Sequence, residues 1–202
     1  MKFIAIKIVF IFWKILSFIP KIILSVIYYP IARKISWKHL PQVAKKLGLN
    51  HIESKYYSEF GKLSGTIWGY HVIVEPDENA KIIVHFKSVK FIQLWTKKDR
   101  QKPSEAMPGF KTPDWKFNSI FKTRRANEKV AKTFITSTEL SSLFIQFFIR
   151  WIWSLETIYV SDKAIYCEFN YGHPFYTYIP ASVLEKLLKE IIYLVSQLDS
   201  II

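Results

Sequence analysis

His71 and His85 stand on neighbouring predicted strands, and Tyr70 precedes the first of them. These are the first places to look for an enzyme acting on a lipid or another hydrophobic substrate, because imidazole exchanges protons near neutrality and a phenol can donate or accept beside it. The five histidines, His39, His51, His71, His85 and His173, never stand at i,i+2 or i,i+4, and neither a cysteine pair nor an acidic cluster accompanies them. No metal site and no cofactor is therefore expected. Cys167 alternates with Ile165 and Phe169 and reads as a small apolar group aimed at a core, not as a nucleophile. Glu75, Asp77 and Glu78 fit a turn better than an acid/base pair, and no Walker-type phosphate loop occurs. No residue is assigned a catalytic role, which favours a protein that is not an enzyme.

A second constellation is basic. Lys97, Lys98, Arg100 and Lys102 lie in a long loop, followed by Lys116, Lys122, Arg124, Arg125, Lys129 and Lys132. Lys116, Lys122, Arg124 and Arg125 are the candidates for holding an anion. Residues 116–132, with Trp115, Phe117, Phe121 and Phe134 interleaved, also have the composition of a nucleic-acid surface, cations for phosphates and rings for stacked bases. No nucleic-acid motif accompanies them, so this is the second reading and a solvated face or a patch against anionic lipid is the first.

The charge distribution points to the membrane. Of 202 residues, 29 are Lys or Arg and 16 are Asp or Glu, a formal charge of +13. Nine of those net charges precede Glu53, the first acidic residue. Residues 1–30 are almost entirely Ile, Val, Leu, Phe, Trp and Tyr, and Lys7, Lys14, Ser17, Lys21 and Ser25 fall on one narrow helical stripe. A surface helix in water needs a wider polar face than that. For a spanning helix, about fourteen apolar residues at roughly −0.4 kcal/mol each nearly cancel lysines costing roughly 2.5 to 3.5 kcal/mol apiece near the bilayer centre. Spanning and in-plane anchoring stay open, and the lysine stripe also suits a protein partner or self-association through the anchor.

Residues 31–52 read as a basic amphipathic juxtamembrane segment, broken by Pro41 and ended near Gly48, with Arg33, Lys34, Trp37 and Lys38 at the interface. Lys7, Trp13, Lys14, Lys21, Arg33, Lys34, Trp37 and Lys38 are thus the expected membrane-binding residues, with an anionic lipid membrane as partner. Five basic residues after the anchor against two before Lys14 favour a cytoplasmic body.

The body, 53–202, reads as α+β. Residues 56–67, 70–75, 81–87 and 91–96 alternate as strands of an antiparallel meander, with Trp68-Gly69 as a turn. A loop, 97–113, then leads to a predicted strand, 117–125, and through Asn127 to a short helix. Thr136-x-x-Glu139 opens a helix repeating Leu140, Leu143, Phe144, Phe147, Phe148 and Trp151; more apolar than one buried face requires, it reads either as a fully buried central helix or as one that presents Trp151 and Trp153 to a bilayer or a partner. A hairpin turns at Asp162-Lys163. A final amphipathic helix from about Pro180 uses Ser182-x-x-Glu185 and buries Leu184, Leu187, Leu188, Ile191, Leu194, Val195 and Leu198. The expected fold class is α+β: a hydrophobic helical anchor, then an antiparallel meander with helices on one face and a C-terminal amphipathic helix.

The run from Asp114 to Ile135 (DWKFNSIFKTRRANEKVAKTFI) resembles a pattern in uncharacterised bacterial membrane-tethered α+β domains. There a Phe-x3-Phe strand leads into an Asn-capped helix, an amphipathic helix and a hairpin. Phe117, Phe121, Asn127 and Ala131 match it, as does the glycine-punctuated stretch from Gly61 to Val74, so the resemblance covers about residues 56–170. It implies a small α+β domain, often tethered to a membrane, with no assigned activity and no catalytic residue to carry over.

Overall fold

The computed structural model describes residues 40–53, 61–76, 79–89, 92–96, 109–126, 128–169 and 181–200. The expected anchor, 1–30, and residues 31–39 lie outside them, and with these Lys7, Trp13, Lys14, Lys21, Arg33, Lys34, Trp37 and Lys38. Among the described residues no helix is long and apolar enough to cross a membrane.

The fold is α+β. Residues 40–47 are helical (α1), followed by strands β1 (Asn50–Ile52), β2 (Lys62–Ile67), β3 (Tyr70–Pro76), β4 (Ala80–His85) and β5 (Ile92–Thr96). Helix α2 (Trp115–Ile120), strand β6 (Phe121–Ala126), helices α3 (Glu128–Thr136) and α4 (Thr138–Arg150), strands β7 (Leu155–Val160) and β8 (Ala164–Phe169), and helix α5 (Ala181–Asp199) complete it. The strands form one antiparallel eight-stranded sheet in the order β1-β2-β3-β4-β8-β7-β5-β6.

The meander expected through residues 91–96 ends at β4. Strand β5 follows β4 in sequence, but the β7–β8 hairpin is inserted between them, pairing Ile82 with Cys167 on one side and Leu94 with Val160 on the other. Local alternation identifies a strand without saying which neighbour it takes.

One face is a continuous apolar layer. Leu63, Val72, Val74, Ile82, Val84, Ile165, Cys167, Ile158, Val160 and Leu94 are buried there, partner against partner across the registers. Cys167 lies in this layer as its alternation required, and burial pushes its thiol well above the ordinary range. Helix α5 lies against β4 and β8, and α4 packs on α2, α3 and α5. Every apolar residue expected on the buried side of the last helix is buried, with Ile192 added. Phe117, Phe121, Phe134 and Phe144 meet with ring centroids 4.9 to 6.1 Å apart beneath α4.

Three local readings are corrected. Phe117 and Phe121 do not share a strand: Asp114 accepts hydrogen bonds from the Lys116 and Phe117 amides, starting the six-residue α2, and the strand begins only at Phe121. Asn127, the expected cap of the following helix, lies outside the described residues. Helix α4 is capped by Ser137, whose hydroxyl accepts from the Leu140 amide, because Thr136 still belongs to α3. Finally, the juxtamembrane segment expected at 31–52 belongs to the body from residue 40 onward. Leu40, Val43, Ala44 and Leu49 are buried in the core and β1 pairs with β2. Pro41 is the second described residue of α1, and the residues before it on which a break would be read, 31–39, lie outside the described residues. The helix stops at Gly48 (φ +68°), where the Leu49 and Gly48 amides bond to the Ala44 and Lys45 carbonyls in a Schellman arrangement.

Candidate functional site

Strand β6 is the last in the sheet, and the chain before α2 folds back along its edge. Thr123 clasps Phe110: its hydroxyl accepts from the Phe110 amide at 3.2 Å and donates to the Phe110 carbonyl. Asn118 clasps Thr112 in the same way, accepting from its amide at 3.0 Å and donating to its carbonyl at 2.5 Å. The backbone on both sides of Lys111 is thereby fixed. Gly109 lies so close to β6 that a Cβ would collide with the Thr123 carbonyl oxygen, a backbone atom that cannot step aside.

This clasped loop and the strand edge enclose a pocket of about 290 Å³, lined by Trp95, Gly109, Phe110, Lys111, Asn118, Phe121, Lys122, Thr123 and Arg124. Trp95 comes from β5, where it pairs with Lys122 across the sheet. The Arg124 guanidinium lies 5.5 Å from the Trp95 ring centre, a cation–π arrangement. Among the described lining residues three are basic and none is acidic.

Two of the four expected anion-binding residues, Lys122 and Arg124, meet in this pocket. Lys116 does not line it; it sits exposed on α2 beside Trp115, with its ammonium 6.0 Å from that ring. The Arg125 side chain lies outside the described residues. Trp95, Phe110, Lys111 and Asn118 were not singled out by sequence reasoning, because the clasp joining the loop to β6 is a tertiary contact. Thr123 alternating between Lys122 and Arg124 on an edge strand was the one signal available.

The aromatic residues expected to stack nucleic-acid bases are arranged against that role. Phe117, Phe121 and Phe134 are buried, and of the four only Trp115 is exposed, at 72%. A ring packed in a core offers no face to a base.

The histidine pair forms as expected. His71 precedes Val72 and His85 follows Val84, the registered pair beside them, and the two ring centroids stand 5.2 Å apart. Burial and the neighbouring His71 lower the pKa of His85. Tyr70 does not join them, because consecutive strand residues point to opposite faces. It turns to the covered side, hydrogen-bonds Asp199 and lies under the Lys87 ammonium at 4.7 Å, while burial and then the Asp199 charge raise its pKa. Among the described residues no group of three or more His, Cys, Asp or Glu could hold a metal.

At the end of α4 the chain turns sharply through residues 151–154. Trp151 faces inward: its indole N–H donates to Glu190 at 2.8 Å and its ring meets Phe169 edge-on. Arg150 holds the other Glu190 oxygen at 2.7 Å, and Lys186 lies 5.5 Å from the Trp151 ring centre. Trp153 points outward, 97% exposed, with Ile149 and Ile152 exposed beside it. Of the two tryptophans expected at a bilayer or partner, only Trp153 is presented.

Compared with known proteins, the sequence matches no family model and no curated protein. A similar solved structure is the crystal structure of the mycobacterial trehalose monomycolate transport factor A, TtfA. The two share 12% identity over 79% of this chain and 90% of that chain, with a TM-score of 0.49. At that distance the likeness transfers no property of that protein to this chain.

Proposed function

We propose that the protein is a membrane-anchored, non-enzymatic module whose α+β body lies on the cytoplasmic surface and serves as an interaction or scaffold unit. The observation that carries this reading is the segregation of charge and apolarity: seven basic residues and no acidic one precede residue 40, four of them, Lys2, Lys7, Lys14 and Lys21, within the almost wholly apolar stretch 1–30 and three, Arg33, Lys34 and Lys38, just after it. Such a segment draws binding energy from burial in acyl chains and from anionic headgroups together. The body adds a second apolar contact. Ile149, Ile152 and Trp153 are exposed together at the end of α4, apolar and aromatic groups suited to the boundary between headgroups and acyl chains. Tyr70 lies on the other face of the sheet from His71 and His85, so the three side chains do not form one site.

Flotation of the full-length protein with vesicles tests the proposal. The protein is expected to float with phosphatidylglycerol-containing vesicles and to remain bound after a high-salt wash, because the apolar term is not screened. A full-length protein that stays in the soluble fraction without detergent overturns it. Protease protection of tags at the two termini in sealed vesicles then distinguishes a spanning anchor from an in-plane one and orients the body.

A further inference from the structure

We infer that His71 and His85 together form a chelating site for a zinc ion, whose remaining coordination positions are taken by water. The register that pairs Val72 with Val84 sets His71 opposite His85 at the next position along the same two strands. Both rings leave the sheet on its open face, where His71 is exposed and His85 partly so. Their centroids stand 5.2 Å apart and their planes are inclined at 53°, so they do not stack face to face. Two imidazoles that each give one nitrogen to a tetrahedral zinc ion at about 2.0 to 2.1 Å, with each ring centre about 1.15 Å beyond its nitrogen, have centres about 5.2 Å apart. The pair already stands at the separation that chelation requires. Two imidazoles with no thiolate or carboxylate suit a borderline ion such as zinc and not magnesium or calcium, which take oxygen ligands.

The backbone beneath the pair is fixed before any ion arrives. Strands β3 and β4 are interior to the sheet, each hydrogen-bonded on both sides in the order β2-β3-β4-β8. Chelation then costs only side-chain rotations, and little ordering entropy is lost. Thr66 is registered with His71 and Ala164 with His85, so the cross-strand neighbours on either side of the pair are small and leave the ion open to water. Two protein ligands are fewer than the three of catalytic zinc sites or the four of structural ones. The ion is therefore held exchangeably, with positions free for a further donor. This site uses none of the residues that carry the membrane proposal, so the two stand or fall separately.

The test is calorimetric titration of the full-length chain in dodecyl maltoside with zinc chloride, and with magnesium chloride as the hard-ion control, at about pH 7.5, where an ordinary imidazole is neutral. Saturable binding of zinc and not of magnesium is expected, weakened at least about tenfold in H71A and in H85N and unchanged in H173A. Melting temperatures without metal check that the variants fold, and if H85N melts early, H71A at its exposed position decides alone. A pair that merely packs leaves zinc unbound. Absence of saturable zinc binding overturns the inference, as does a loss below about tenfold in H71A or in a folded H85N. Magnesium binding as tight as that of zinc, or a loss in H173A as large as that in H71A, overturns it as well.

Discussion

On one face of the sheet Val72, Val84, Ile165 and Val160 stand side by side across four strands, fully buried. One residue away along the same strands, the opposite face holds His71, His85, Tyr166 and Tyr159, all at least partly exposed. The strands are the same and so is their hydrogen bonding; what differs is the cover. Helices α4 and α5 exclude water from the first face, and an ionisable group there would have to be desolvated or paired, as Tyr70 is with Asp199. The second face carries ionisable groups that keep contact with water, His71 exposed and His85 only partly desolvated, and the candidate pocket uses the rim where the sheet ends.

The largest effect that would test this contrast is a cavity on the covered side. Phe144 is fully buried against Phe121 and Phe134, and Phe144→Ala is expected to cost about 3 to 5 kcal/mol in urea unfolding. Tyr166→Ala, on the open face, should cost less than about 1 kcal/mol. Equal losses would mean that the open face is packed as firmly as the other.

Next in size comes the joint between the helical layer and the turn after α4. Glu190 accepts from both Trp151 and Arg150. Glu190→Ala leaves the indole N–H without its acceptor, and a loss of about 1 to 3 kcal/mol is expected by the same measurement, with Glu190→Gln retaining part of it.

A smaller effect concerns the histidine pair. The lowered pKa of His85 means that the folded protein binds fewer protons than the unfolded chain in the range just below the ordinary histidine value. Stability from this source is therefore present above about pH 6.5 and declines as the pH falls through that ordinary value toward the lowered one. Urea midpoints between pH 5 and 8 should decline toward acid, and His85→Asn should flatten the profile. An unchanged slope would assign the decline to other groups.

The smallest expected change in stability belongs to Trp153. Its ring is almost wholly exposed, so Trp153→Ser should alter unfolding by no more than about 0.5 kcal/mol. The same variant should lower the affinity of the full-length protein for phosphatidylglycerol vesicles, the readout that a merely solvated side chain would leave unmoved.

The contrast between faces also separates what could be read in the sequence from what could not. Inward placement of Cys167 and the buried side of α5 followed from period alone, since alternation and helical repeat state directly which residues share a face. The opposed histidines were legible for the same reason, as two alternating runs joined through a short turn. Period is silent about long-range partners, so the displacement of β5 from β4 was not readable. It was also silent about α1, where basic residues beside apolar ones suit a membrane surface and a helix half-buried in a core equally well. The Phe117 to Arg125 run misled because a capping aspartate outweighed strand-like composition over a single turn. Two cations of the pocket were visible as residue types, while Lys111 became part of it only through the clasps of Thr123 and Asn118.

The position of the β7–β8 hairpin has a consequence for the order of assembly. With residues 155–169 absent, β4 and β5 would each present an unpaired edge, and the strands on either side would have nothing to join them. A chain emerging from the ribosome therefore holds two incomplete sheets until nearly all of the body has been made. Closure waits on contacts between segments far apart in sequence, which are slow to find and leave apolar edges accessible meanwhile. The hairpin acts as a keystone, and shortening the protein ahead of it would be expected to yield two sticky fragments, not a smaller domain.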